Sequence, residues 1–317
     1  MAATRAAEIP ARRRSDTRIL QTLSKRCAPA RPALKTGAFA RGACPLRATF
    51  VRGAIRLRNS AEPEGERLFS MTNGYIHSIE TAGALDGPGL RYVLFLSGCP
   101  FRCKFCHNPD TWTVEGARRA TPESVYGDIL KYAEFFKISN GGVTLSGGEP
   151  LSQPGFCAEL LEILSREKIH SAIDTCGGVA LDEDCRRATL LADMLLLDIK
   201  HADAREHVSL TGASQKNTLD FLEFIESNAK RYWIRCVLIP DYTATPEYAK
   251  TLVKFLERRA PNAELVELLP YHAMGRAKWK RLGIKYPLTG LRPASKKEVS
   301  EFAAVIEQGG FQTKYQR

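Results

Sequence analysis

The chain has 317 residues and a formal net charge of +11, long enough to bury one large core or two small ones. The charge is unevenly placed: residues 1–59 hold 14 Lys and Arg against two acids, leaving about −1 over the remaining 258 residues. The body as a whole therefore has no basic excess of the kind that marks a nucleic-acid or anionic-membrane binder, and no run approaches the ~20 apolar residues of a membrane-spanning helix.

The first segment is rich in Arg, Ala and Pro (Arg12, Arg13, Arg14, Arg52, Arg58), and its acids are Glu8 and Asp16. It lacks the apolar stretch of roughly 7–15 residues that a secretory signal needs, and its composition matches an organelle transit peptide. The expectation is a disordered leader over 1–65, removed near EPEGERL at 62–68, ahead of one core domain over 74–317. That reading places the mature protein in a mitochondrial or chloroplast matrix, or in the cytoplasm if the leader is not a transit signal.

From residue 74 onward, six apolar runs rich in β-formers appear: 91–98, 142–150, 170–177, 194–200, 232–240 and 263–271. Each is continuous rather than alternating, as expected of parallel strands covered on both faces. Helical patterns lie between them at 121–137, 154–168, 181–192, 216–230 and 245–260, with a last one at 295–308. Thr121-Pro122 opens the first of these with a cap and a proline at the first helical position. Alternating strand and helix implies parallel β/α units. Residues able to do chemistry recur at successive expected strand ends: Cys99, Glu149, Asp174, Lys200, Arg235 and His272. One site fed by six strand ends favours a barrel over a doubly wound sheet, whose site gathers at one switch point. Six units are too few to close a regular eight-fold barrel, so the predicted fold is α/β, an open partial (β/α)6 barrel with a lateral gap.

Nine cysteines are present, and three of them cluster as C-x3-C-x2-C: Cys99, Cys103 and Cys106. An odd, uneven set without a secretory signal argues against a disulfide scaffold. Cys157, Cys176, Cys185 and Cys236 read as buried small apolar residues. Thiolates are soft, anionic iron ligands, and three within eight residues can grip three irons of a cuboidal cluster, leaving the fourth open to another ligand. Three rivals compete. CKFCH at 103–107 matches a c-type haem attachment, which leaves Cys99 unexplained. A zinc site of the three cysteines with His107 asks adjacent residues, Cys106 and His107, to turn to one ion. Purely structural thiols would not be expected to cluster in a loop.

C-x3-C-x2-C after one strand followed by SGGEP (146–150) after the next resembles the radical S-adenosylmethionine (SAM) superfamily. The similarity extends through NGYIHSIETAGALDGPGLRYVLFLSGCPFRCKFCHNPDTW, GGVTLSGGEPL, LDIK and LLPYHAMGRAKW, the pattern of the pyruvate formate-lyase activase family. The resemblance implies one 4Fe-4S cluster on Cys99, Cys103 and Cys106, its open iron binding the amino and carboxylate groups of SAM. It implies reductive cleavage to a 5′-deoxyadenosyl radical that removes a hydrogen from a glycine of the lyase. Residues 107–156 contain no cysteine, so a one-cluster member is expected rather than one with a ferredoxin-like insert. An activase of another glycyl-radical enzyme, or a radical SAM enzyme acting on a small molecule, is the alternative.

By the same resemblance Gly147, Gly148 and Glu149 contact the SAM amino group, Lys200 its carboxylate, and His272 and Asn108 lie beside it. Glycines permit close backbone approach and a carboxylate accepts from an ammonium, although a strand-end lysine commonly just reaches water. Asp174, Thr175 and Asp198 are candidates to orient SAM or hold a monovalent cation. Asp86 in DGPGLR, His107 (with Asn108) and Arg235 are candidates for the peptide substrate; an arginine in so apolar a strand needs a partner or a cavity. A flavodoxin or ferredoxin is the implied electron donor, and a monomer is expected because no coiled coil or exposed repeat is visible.

Overall fold

The computed structural model describes residues 72–315. The leader expected over 1–65 lies outside the described residues. One sheet runs through the body. Its strands are β1 (Gly74–Gly83), β2 (Arg91–Leu96), β3 (Arg118–Ala120), β4 (Gly142–Gly147), β5 (Ser171–Thr175), β6 (Met194–Asp198), β7 (Tyr232–Leu238), β8 (Leu265–Pro270) and β9 (Thr313–Lys314). Their order is β3-β1-β2-β4-β5-β6-β7-β8-β9. β1 pairs antiparallel with β2 and β3, and every later pair is parallel. The six predicted strands are thus consecutive neighbours in chain order, each shorter than its apolar run.

Helices α1 (Pro122–Ile129), α2 (Ala133–Ser139), α3 (Pro154–Arg166), α4 (Glu183–Leu191), α5 (Ala204–Thr211), α6 (Lys216–Ser227), α7 (Pro246–Arg259), α8 (Arg276–Arg281) and α9 (Lys296–Gln308) fill the connections. Their starts follow local chemistry. Thr121, Asp182, Asp203, Thr245 and Ser295 each accept a backbone N–H in the first turn, and Ser295 forms a reciprocal capping box with Glu298; such caps contribute about 1 kcal/mol each. The helix expected over 121–137 is two helices joined by a 3-10 turn at Leu130–Tyr132. Gly127 with the aromatic and β-branched residues around it lowers helix propensity there. β1, β3, β9, α5 and α8 go beyond the elements expected from sequence. No helix among the described residues is long and apolar enough to cross a membrane.

Register divides the strands' two faces. Leu94, Val143, Leu145, Ile173, Leu195, Leu197, Ile234, Val266 and Leu268 are buried with the helices in the main core. The other face holds an apolar floor of Ala172, Met194, Leu196 and Trp233, with Leu265 packed against it. Above that floor, Asp174 aligns with Leu196, Asp198 with Arg235, and Arg235 with Glu267. The sheet is strongly curled. Arg235 Nη2 on β7 donates to the Leu85 carbonyl just after β1, at 3.2 Å. Five strand steps in a flat sheet would separate these elements by ~24 Å. The contact requires an arc, which is the open partial barrel expected.

Candidate active site

The polar face lines a cavity of about 280 Å³ shared by Asp86, Cys99, Cys103, Cys106, His107, Asn108, Ser146, Gly147, Gly148, Asp174, Cys176, Asp198, Lys200 and Arg235. Most of the predicted site residues therefore meet on one wall, although the set runs from Asp86 to Arg235 in sequence.

The thiol loop is pinned on all sides. Gly98 N–H donates to Thr111 O at 2.7 Å and Cys99 N–H to Trp112 O at 3.2 Å, closing the loop on itself. Arg102 and Lys104 N–H groups donate to Thr211 and Leu210 carbonyls at the end of α5, and Trp279 of α8 donates its indole N–H to Cys106 O at 2.8 Å. Glu149 N–H in turn donates to Gly98 O at 2.7 Å, tying the glycine turn to the loop. Both glycines are required. Gly147 has φ +126°, and a Cβ there would sit 2.2 Å from Leu96 backbone; at Gly148 it would sit 2.4 Å from Gly98 O.

A hydrogen bond with Cys176 lowers the Cys99 pKa against the effect of burial, whereas burial pushes Cys103 up to about 12 and also raises Cys106. Deprotonated, all three need a strongly cationic centre. Among the described residues no three His, Cys, Asp or Glu side chains are placed to hold a single metal ion. All three thiols line the same cavity, and three thiolates from one loop suit three corners of a cuboidal iron–sulfur cluster.

Lys200 lies two residues beyond β6. Burial acts to lower its pKa, but Asp198 at 2.7 Å and the nearby thiols override this and keep the ammonium charged. Arg235 stands mid-strand, not at the strand end expected. Its charge too is held against burial, by Asp174 at 2.9 Å and Glu267 at 3.0 Å. Lys314 of β9 reaches the same Glu267 at 2.8 Å. Asp86 enters beside these groups, and burial, then Asp174, raises its pKa to about 6.

Three expected contacts look different in the fold. Glu149 is wholly buried, and its carboxylate already accepts from Thr175 Oγ1 (2.7 Å), Leu151 N–H (2.9 Å) and Cys176 N–H (2.7 Å). It braces the turn that carries Gly147 and Gly148. Asp174 and Asp198 are paired with Arg235 and Lys200, and the Thr175 hydroxyl is committed to Glu149. Protein cations thus balance the acids proposed for a cation. His272 is set behind His107: the rings lie 4.2 Å apart, and His107 Nε2 donates to the His272 carbonyl at 2.9 Å. The His272 Nδ1 is buried and has no hydrogen-bond partner among the described residues. Glu267, Ser146 and Cys176 were missed as site residues. Cys157, Cys185 and Cys236 are core residues as expected, and Cys176 is buried as expected too, in a second apolar cluster that borders the cavity. Only the pairing of register across strands identifies Glu267 and Ser146.

A parallel partial barrel with a three-thiol loop over its strand ends defines an iron–sulfur enzyme of the radical SAM class. Comparison with known proteins agrees. Residues 85–219 match the family model described as a 4Fe-4S single cluster domain. A pyruvate formate-lyase-activating enzyme of Listeria monocytogenes is 39% identical over 243 residues, covering 75% of this chain and 98% of the relative. One of Staphylococcus aureus is 42% identical over 227 residues, 69% of this chain and 89% of the relative. In fold the chain is similar to Streptococcus suis SuiB bound to precursor peptide SuiA (TM-score 0.54, 19% identity, 74% of this chain and 50% of that one). It is also similar to a radical SAM methyltransferase from Sphaerobacter thermophilus (TM-score 0.53, 15% identity, 71% and 66%). The chain belongs to the pyruvate formate-lyase-activating enzyme family.

The organelle location expected from the leader is corrected by the same comparison. These relatives come from Listeria and Staphylococcus, bacteria that have no mitochondrial or chloroplast matrix. The kinship points away from a transit function for the leader, whose basic composition alone had suggested one.

Proposed function

We propose that this protein activates pyruvate formate-lyase by placing a radical on a glycine of that enzyme, working within one domain over residues 74–317. When bound, a reduced 4Fe-4S cluster and SAM supply a 5′-deoxyadenosyl radical able to take a hydrogen atom from a glycine Cα. The observation that carries the reading is the shared wall: three loop thiols, the Gly147-Gly148 turn and the charged Lys200 line one cavity in a chain of this family.

The chain's own residues bind and orient. Cys99, Cys103 and Cys106 hold the cluster at three corners. The Gly147-Gly148 backbone, braced by Glu149, takes the SAM amino group, and Lys200 faces its carboxylate. Asn108 and His272 lie beside it, while Asp174 and Asp198 set the charge that keeps Lys200 and Arg235 ionised. Asp86, His107 and Arg235 receive the glycine-bearing peptide. The gap in the arc admits that backbone, and holding it within reach of the nucleotide carbon accounts for several orders of magnitude in rate. A flavodoxin or ferredoxin supplies the electron, the protein acts as a monomer, and the chemistry belongs to anaerobic metabolism.

The test is anaerobic reconstitution with iron and sulfide, followed by incubation with reductant, SAM and the lyase. The expected outcome is 5′-deoxyadenosine and a glycyl-radical EPR signal on the lyase. Triple replacement of Cys99, Cys103 and Cys106 by Ala should remove the iron and both products. 5′-Deoxyadenosine formed without any lyase radical would instead favour a small-molecule substrate.

A further inference from the structure

Residues 268–297 contain eight Lys and Arg and no Asp or Glu, in a body whose other residues from 60 onward are net acidic. The fold gathers this charge around α8. Lys278, Arg292 and Lys297 are paired with Asp110, Glu298 and Glu301. Arg276, Lys280, Arg281 and Lys285 are exposed and enter no ion pair among the described residues. Three of these four, Arg276, Lys280 and Lys285, rim an open groove of about 650 Å³ whose floor is Trp279 and Tyr286. Leu282 and Ile284 are 45% and 40% exposed beside it. An apolar centre inside a charged rim is the anatomy of a protein-binding surface.

Its position relative to the thiol loop gives it a purpose. Trp279, the groove floor, donates its indole N–H to the carbonyl of Cys106 at 2.8 Å, so the groove lies one side chain from a cluster ligand. The exposed Arg102, stacked over Trp112 at 5.0 Å, adds positive charge on the same loop. We propose that the α8 groove is the docking face for an acidic one-electron carrier protein that reduces the cluster. This rests on the reading above that the loop holds a cluster needing an external electron. Unpaired cations around an approach to the redox centre steer an anionic carrier and speed encounter rather than tighten the final complex.

The experiment compares the reconstituted holoenzyme with an R276E/K280E/R281E/K285E variant and with the milder R281Q/K285Q pair. Cluster reduction is followed by stopped-flow absorbance with pre-reduced flavodoxin, pre-reduced ferredoxin, and dithionite as the small-molecule control. The expected result is a reduction rate by the acidic carriers at least tenfold lower in the quadruple variant at low ionic strength, and a smaller loss in the pair. The difference should shrink as salt screens the charges, with dithionite reduction and dithionite-driven lyase activation unchanged. Equal carrier rates in variant and parent would overturn the proposal, as would a salt-independent difference. Loss of lyase activation with dithionite would also overturn it, assigning the face to the lyase instead. Failure of either protein to bind iron would count against the cluster reading rather than against this surface.

Discussion

Arg235 is the residue on which most of the site's charge turns. It is enclosed between Asp174 and Glu267 and also holds the Leu85 carbonyl. Removing one partner of a buried pair leaves the other charges uncompensated, at a cost of about 3–5 kcal/mol. Arg235→Ala should therefore lower urea-unfolding stability by on the order of 3 kcal/mol, whereas Lys131→Ala, from an exposed pair with Asp128, should change it by less than about 1 kcal/mol. Equal effects would mean that the Arg235 pairs are not worth more than surface ones. Asp86 adds a pH dependence. Its folded pKa is raised from 3.8 to about 6 by burial and by Asp174, so the folded state holds the proton that the unfolded state releases. Its contribution is intact below about 3.8 and is lost as pH rises to about 6. Relative to Asp86→Asn, the parent should lose stability across that window and run parallel above it. A constant difference from pH 4 to 7, measured by urea unfolding at each pH, would contradict the assignment.

At the scale of elements, the turn at the end of β4 has no room for a side chain. Gly147→Ala forces a Cβ against Leu96 backbone at a positive φ, and backbone cannot yield as a flexible side chain does. The variant should lose bound iron after reconstitution as well as unfolding stability, because the displaced turn carries the Glu149 N–H that anchors Gly98. Retention of full iron content would show the loop to be independent of the turn. The strands themselves were readable because both faces are covered, which makes each run continuously apolar. Their boundaries were not. HSAIDTCG ends as a strand at Thr175, and YWIRCVLIP at Leu238, since the hydrophobic pattern continues into buried loops where the ladder has stopped. α8 escaped notice for the opposite reason. RAKWKR is six residues of mostly charged sequence with one buried side chain, Trp279, and carries no amphipathic period to detect.

Among the described residues the sheet is an arc with β3 at one edge and β9 at the other. β9 is only Thr313–Lys314, yet it covers the β8 edge and delivers Lys314 to Glu267. Truncation after Gly310 should expose that edge and leave Glu267 a single cation. The expected outcome is a lower unfolding midpoint and concentration-dependent association by size-exclusion chromatography, since an uncovered strand is a template for pairing. A monodisperse, equally stable truncated protein would show β9 to be dispensable.

The order of strands and helices, the three-thiol loop and the glycine turn were all legible in sequence, because each rests on interactions between residues near one another in the chain: periodicity, capping and motif spacing. The leader's composition was equally legible and misled, because a basic, acid-poor segment has no single destination. What only the tertiary structure decided is how the charged side chains of the site pair with one another. Asp174, Asp198, Arg235 and Glu267 lie on different strands inside apolar runs, and their meeting depends on register and on the curl that brings Leu85 to Arg235. Both are properties of strand pairing across long separations, set by the packing of the whole sheet, and no local stretch of sequence encodes them.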